Sequence, residues 1–131
     1  MRQPINLGSI DSLVSEARST EPGRRAEAAR ELGALKSQRV LSLLPRMLED
    51  EVPGVRRSAA WASGWLGEAS LCSVLEAAVQ EEPCDAPRLS MGIAAVRCGS
   101  DVAKVWTILE AAAERELWTV SGLRRPAPQV G

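Results

Sequence analysis

Histidine, phenylalanine and tyrosine are absent from this 131-residue chain. Without histidine the chain lacks the usual acid or base at neutral pH, the triad base and the commonest metal ligand, which argues against reaction chemistry. The missing phenylalanine and tyrosine weigh against a β-rich fold, which leans on aromatic and β-branched residues. Cysteine is scarce: Cys72, Cys84 and Cys98 are odd in number and widely spaced, with no CxxC pair. A disulfide framework or zinc site is therefore not expected, nor is any other metal or cofactor, and reduced thiols in a cytoplasmic protein are. No apolar run approaches the roughly 20 residues of a membrane span, and the first residues lack the apolar core of a signal peptide. Nor does charge of either sign dominate. The net charge of −1 offers no basic field for nucleic acid and no acidic field for a cationic partner.

Nineteen alanines and fifteen leucines, both strong helix formers, dominate what is present. Displacing the sequence by 31 residues superposes Pro22 on Pro53, Gly23 on Gly54, Arg25 on Arg56, Ala28-Ala29 on Ala59-Ala60, Gly33 on Gly64 and Leu35 on Leu66. A weaker third copy matches Arg88, Ser90, Ala94 and Gly99 to Arg56, Ser58, Ala62 and Gly67 at an offset of 32. Val105 returns to Val74 at 31. Self-similarity at this period predicts stacked supersecondary units, here over about residues 20–51, 52–82 and 83–116.

Each copy reads as two helices. In the first, Pro22 suits a first turn, where its missing N–H has no partner to lose, and Ala28, Leu32 and Leu35 share a face. After a break at Lys36-Ser37, a second helix carries Val40, Leu41, Leu44, Met47 and Leu48, with Pro45 inside it to bend it or end its regular bonding. In the second copy Ala59, Ser63 and Leu66 face inward, Gly67 closes the helix, and Leu71, Val74, Leu75, Ala78 and Val79 mark its partner. The third copy places one helix at about 88–97 and another after the N-cap Asp101, carrying Val102, Val105, Trp106, Leu109 and Ala113. Ile10, Leu13, Val14 and Ala17 form a short capping helix with Ser9 or Asp11 at its start. Leu117, Val120 and Leu123 continue the last helix or make a terminal turn. Residues 124–131 are expected to be mobile. The expected fold is all-α: one domain, residues 1–123, of at least six helices in antiparallel pairs.

The run from Pro53 to Glu68 resembles the HEAT repeat family, and most closely the short bacterial type also found in phycobilin lyases. Glu51, Val55-Arg56, Ala59-Ala60 and Leu66-Gly67-Glu68 fit the family pattern of an acid before the first helix, Val-Arg, a small pair and Leu-Gly-acid. The resemblance covers about residues 20–116 and is weakest in the third copy, where Met91-Gly92 replaces the alanine pair. It implies a short α-solenoid of about three helix pairs that stacks as a right-handed superhelix and binds other proteins. It carries little information about which function the solenoid serves.

Trp61 and Trp65 stand out. Lying four apart on one helix, they point about 200° and 240° away from Ala59, the inward direction. The equivalent positions hold Arg30 and Ala34 in the first copy and Ile93 and Arg97 in the third. One reading is a contact patch for another protein, flanked by Arg30, Arg57 and Arg97. The other is that the tryptophans fill grooves between neighbouring helices with arginine on their faces. Of the two, Trp61 is expected to be the more exposed. Arg24, Arg25, Arg56 and Arg57 begin helices, where positive charge opposes the helix dipole. Asp50, Glu51, Glu81 and Glu82 recur at the same spacing and can neutralise them, and the resemblance implies an acid–arginine ladder of this kind between repeats. Glu81, Glu82 and Asp85 are expected to be solvated loop acids.

No phosphate loop, nucleophile elbow or dinucleotide fingerprint is present. HEAT-like DNA glycosylases need a basic groove that this neutral chain does not supply. Three function classes remain: a non-enzymatic protein-binding scaffold or adaptor, a chromophore lyase-like helper subunit, and a self-assembling structural unit. Self-assembly draws on charge asymmetry, net +2 over residues 1–66 and −3 over 67–131, and on an apolar end at Val102, Trp106 or Leu117 left open unless residues 120–123 or a second chain cover it.

Overall fold

The computed structural model describes residues 7–121, and among them every regular element is helical. In chain order these are α1 (Leu7–Glu16), α2 (Pro22–Ala34), a 3-10 turn (Gln38–Ser42), α3 (Leu44–Met47), α4 (Pro53–Leu66), a 3-10 turn (Ala69–Leu71), α5 (Cys72–Glu81), α6 (Asp85–Arg97) and α7 (Val102–Ser121). Pro22 and Pro53 sit in the first turns of α2 and α4, as their missing N–H groups require. The ends of these helices share a backbone geometry in register. Lys36, Gly67 and Gly99 all have positive φ, at 52°, 62° and 114°, so the left-handed residue that closes each unit is glycine in two copies and lysine in one.

Several boundaries differ from expectation. The second helix of the first copy is not continuous: a 3-10 turn ends at Ser42, and one α-turn restarts with Pro45 in its first turn. Pro45 has no N–H to offer the carbonyl of Leu41, and its ring crowds that carbonyl, so the helix begins again at the proline and does not run through it. Val40, Leu44, Met47 and Leu48 are nevertheless buried. Helix α6 starts at Asp85, earlier than the expected 88, because Pro87 is still within a first turn. Ser9 and Asp11 lie inside α1, not at its cap. Asp101 caps α7 as expected, accepting the Ala103 N–H at 3.0 Å. Helix α7 carries on through Leu117 to Ser121. Leu123 and the segment 124–131 lie outside the described residues, as does the side chain of Val120.

Helices α2, α4 and α6 lie side by side as one layer, α3 rests on α4, and α5 and α7 rest on α6. Small residues make the layer possible. Ala28, Ala29, Ala59, Ala60, Ala62, Ala94 and Ala95 are all buried. A Cβ built on Gly33 would stand 2.7 Å from Ala62 Cα, and one on Gly64 3.4 Å from Ala94 Cα. These equivalent glycine–alanine crossings bring successive helices into near backbone contact. At the first open end, α1 packs Leu13 and Val14, and the turn after it Ala17, onto the core, and α1 covers the first unit as expected. At the other end Val105 and Ala112 are buried while Val102, Trp106 and Leu117 are exposed.

Candidate functional site

The tryptophans sit on the outer edge of α4 where it meets α6. Their ring centroids are 5.0 Å apart with the planes tilted by 42°. Together with Ile93, Ser90 and Arg97 they line a shallow cleft of about 180 Å³. Its existence follows from Gly64, which stands between them on α4 and has no side chain to fill the crossing. The stem of Arg97 lies over that glycine, and its Nε donates to the Gly64 carbonyl at 2.9 Å. That carbonyl belongs to the last turn of α4, which has no N–H of its own to offer it, so Arg97 caps the negative end of the helix. Trp61 and Trp65 are 39% and 41% exposed, and Ile93 is 49% exposed.

The structure thus brings Trp61, Trp65 and Arg97 together and adds Ile93. Arg30 and Arg57 do not line the cleft: Arg30 pairs with Glu27 on α2 at 3.6 Å, and Arg57 is exposed on the first half of α4. The expected difference between the tryptophans is also absent. Each ring covers the other at the (i, i+4) spacing, which makes their exposures equal.

The ladder runs along the N-terminal ends of α2, α4 and α6, and the structure selects its members. Arg25 forks onto Asp50 (2.9 and 3.0 Å) and Arg56 onto Glu82 (2.7 and 2.9 Å). Each arginine also reaches back six residues to a carbonyl, Arg25 to Ser19 at 2.9 Å, Arg56 to Asp50 at 2.8 Å and Arg88 to Glu82 at 2.8 Å. The residue that supplies the carbonyl also accepts the N–H two residues on, Ser19 from Glu21, Asp50 from Val52 and Glu82 from Cys84. Ser19, Asp50 and Glu82 are therefore one position in three copies. It is acidic only where a preceding repeat supplies an arginine. Glu81, Arg24 and Arg57 form no rung, and Glu51 acts on Arg25 only through its charge; Arg24 instead pairs with Glu21 at 3.0 Å. The carboxylates of Glu82 and Asp85 are not solvated loop acids. Glu82 is buried under Arg56, and Asp85 holds Arg115 at 2.7 Å.

This electrostatic frame fixes a pH response. Burial works against ionisation of Asp50. The Arg25 hydrogen bond, the Val52 N–H and the charges of Arg25 and Arg56 outweigh it and hold its pKa below the usual carboxylate value. Arg115 does the same for Asp85, and the Cys72 thiol, Ser100 and Lys104 do so for Glu76. A depressed folded pKa gives stability that is complete above the unfolded value and lost as pH falls through the folded one. The urea midpoint is therefore expected to stay level from about pH 5.5 to 8, where no histidine titrates, and to fall below about pH 4. Asp50→Asn should flatten that acid limb; an unchanged limb would contradict the ladder's role.

The thiols of Cys72 and Cys98 are unsuited to attack. Cys72 is pushed up by its hydrogen bond to Glu76 and by burial, and Cys98 chiefly by burial. Among the described residues no group of three or more His, Cys, Asp or Glu could hold a metal ion. No described helix is long and apolar enough to cross a membrane.

A family model described as HEAT repeats matches residues 10–95. The chain belongs to the HEAT repeat family. The match takes in α1, outside the expected repeats, and stops inside α6, so the α7 unit rests on its register and packing alone. No curated protein matches the chain. HEAT repeats are commonly protein-interaction scaffolds and typically non-catalytic. In this HEAT array the three equivalent edge positions carry Arg30, Trp61 and Ile93, so the aromatic pair marks the middle repeat.

Proposed function

We propose that this HEAT array is a non-enzymatic scaffold or adaptor in the cytoplasm, a single domain over residues 1–123 that holds another protein at the α4–α6 cleft. The observation that carries the reading is the stacked Trp61–Trp65 pair, part-exposed beside Ile93 on a helix layer that close backbone packing and the Arg97 cap hold in place. Rigid aromatic rings on a fixed support lose little entropy on binding and are typical of interface hot spots. Arg97, with Nε already bonded, positions the cleft floor; Arg30 and Arg57 lie outside its lining.

The test exploits the repeat register. Arg30 occupies the position of Trp61, and Arg97 that of Trp65, so the helix edge accepts arginine at both. The variant Trp61→Arg/Trp65→Arg is expected to fold and to lose partner affinity by at least about 2 kcal/mol, roughly 30-fold. Quantitative capture from native extract with wild type and variant as baits, followed by titration of the captured protein, measures it. Equal affinity for both baits would refute the assignment.

Self-assembly is the second reading, favoured by the exposed Val102, Trp106 and Leu117 on α7, which has no helix packed on its outer side among the described residues. Light scattering that shows one mass over a wide concentration range would exclude it.

A further inference from the structure

A second surface lies away from the tryptophan cleft. Ser19, Asp50 and Glu82 hold one position of the repeat, and the residue just before it changes sign along the array: Arg18, then Glu49, then Glu81. All three are exposed, and each borders a groove. Arg18, in the turn after α1, borders a cavity of about 430 Å³ that extends to Leu43, Arg46 and Met47 and includes the Arg25–Asp50 rung. Glu49 and Glu81 border the corresponding cavity of about 920 Å³ between α3 and α5, which includes Glu82 and Arg56 of the next rung. Leu48, Val74 and Ala78 give this second groove apolar walls. Arg46 and Asp50 line both cavities, so the two grooves adjoin across α3.

Within each rung the charges neutralise one another, and what remains differs in sign. Arg18 and Arg46 remain in the first groove. Glu49, Glu51 and Glu81 remain in the second, opposed by Arg46 alone. Among the described residues none of these side chains makes a hydrogen bond or an ion pair, and Glu51 acts on Arg25 only through its charge. The pattern selects its occupant. Carboxylates in the second groove repel a polyanion such as nucleic acid, and arginines in the first repel a purely cationic segment. Packed helix axes stand about 8–10 Å apart, so the grooves on the two sides of α3 are separated by about that distance. An extended chain covers it in about three residues.

We infer that the α1–α3 and α3–α5 grooves together dock an extended segment of another protein that carries a carboxylate and, about three residues away, a cation followed by apolar side chains. The carboxylate meets Arg18 and Arg46, the cation meets Glu49 and Glu81, and the apolar side chains cover Leu48 and Val74. The contact does not depend on the tryptophan cleft, so each assignment can fail alone.

The test uses the full chain and fluorescein-labelled peptides read by anisotropy. The peptides share one apolar sequence and differ in charge: all glutamate, all arginine, or mixed with glutamates at one end and arginines at the other. The mixed peptide is made in both orders, and the tighter binder is compared. It is expected to bind at least about tenfold more tightly than either uniform peptide. Arg18→Gln/Arg46→Gln and Glu49→Gln/Glu81→Gln should each cost it at least about tenfold, and raised salt should weaken it. These substitutions leave both rungs intact, and matching circular dichroism spectra verify the fold. Trp61→Arg/Trp65→Arg should bind the mixed peptide as wild type does. Equal affinity for the mixed and all-arginine peptides, no binding of any peptide, or loss of binding in Trp61→Arg/Trp65→Arg would overturn the inference. So would a mass that rises with concentration and that either groove variant abolishes, since a second copy would then occupy the grooves.

Discussion

Arg56→Met is expected to cost about 3–5 kcal/mol of unfolding free energy, the largest loss of any single ladder substitution. Glu82 is 2% exposed and holds both carboxylate oxygens against the Arg56 guanidinium. Methionine keeps the length of the arginine stem and leaves that carboxylate buried without its cation. The same substitution frees the Asp50 carbonyl, so two repeats lose their link at once. Replacing both partners, as in Arg56→Met/Glu82→Leu, should recover part of the loss, because two apolar side chains need no ionic partner. The Cys84 N–H then loses its acceptor, which keeps the recovery incomplete. Arg24→Met serves as the control. Its pair with Glu21 is exposed, and such pairs contribute at most about 1 kcal/mol. Urea unfolding followed by circular dichroism measures all three; a loss for Arg56→Met no larger than for Arg24→Met would contradict the ladder.

Gly33→Leu is expected to cost about 3 kcal/mol, whereas Gly64→Ala is expected to change stability little. The two glycines are equivalent in the repeat, yet their surroundings differ. A Cβ on Gly33 would meet Ala62 Cα at 2.7 Å, a contact with backbone that only separation of α2 from α4 relieves. The better helix propensity of a non-glycine residue returns about 1 kcal/mol and does not offset that separation. A Cβ on Gly64 meets the Arg97 stem at 3.3 Å and Ala94 at 3.4 Å. A shift of a few tenths of an ångström accommodates it, and the propensity gain balances the strain. Thermal midpoints of both variants decide the matter. Similar losses at the two sites would mean that the helix crossings are looser than the backbone distances imply.

The architecture was legible because repetition multiplies weak signals. One Pro-Gly or Ala-Ala pair says little, but Pro22, Gly23, Arg25, Ala28 and Gly33 returning together 31 residues later locate two helices and their buried faces. The ladder was half legible. Four arginines and four acids shared the spacing, and only three-dimensional placement chooses Arg25 and Arg56 over their neighbours, since adjacent helix residues point 100° apart. Ser19 escaped notice because it is polar but uncharged, although its 31-residue distance from Asp50 was available as a clue. Pro45 announced a bend or an end to regular bonding, and the second holds: the 3-10 turn stops at Ser42 and one α-turn restarts at the proline, which has no N–H for the Leu41 carbonyl. At the cleft, helical angles placed both tryptophans outward correctly. Their equal exposure depends on mutual stacking, and Ile93 on a neighbouring helix, neither of which a single-helix projection contains.

The claim that the tryptophan pair is a contact surface, and not filler between repeats, is tested most directly by measuring the unfolding free energy and the partner affinity of Trp61→Arg/Trp65→Arg on the same preparation. The account predicts a stability loss below about 2 kcal/mol with affinity reduced at least 30-fold. A stability loss of about 3–5 kcal/mol with partner affinity unchanged would show that the rings are part of the core, and would contradict it.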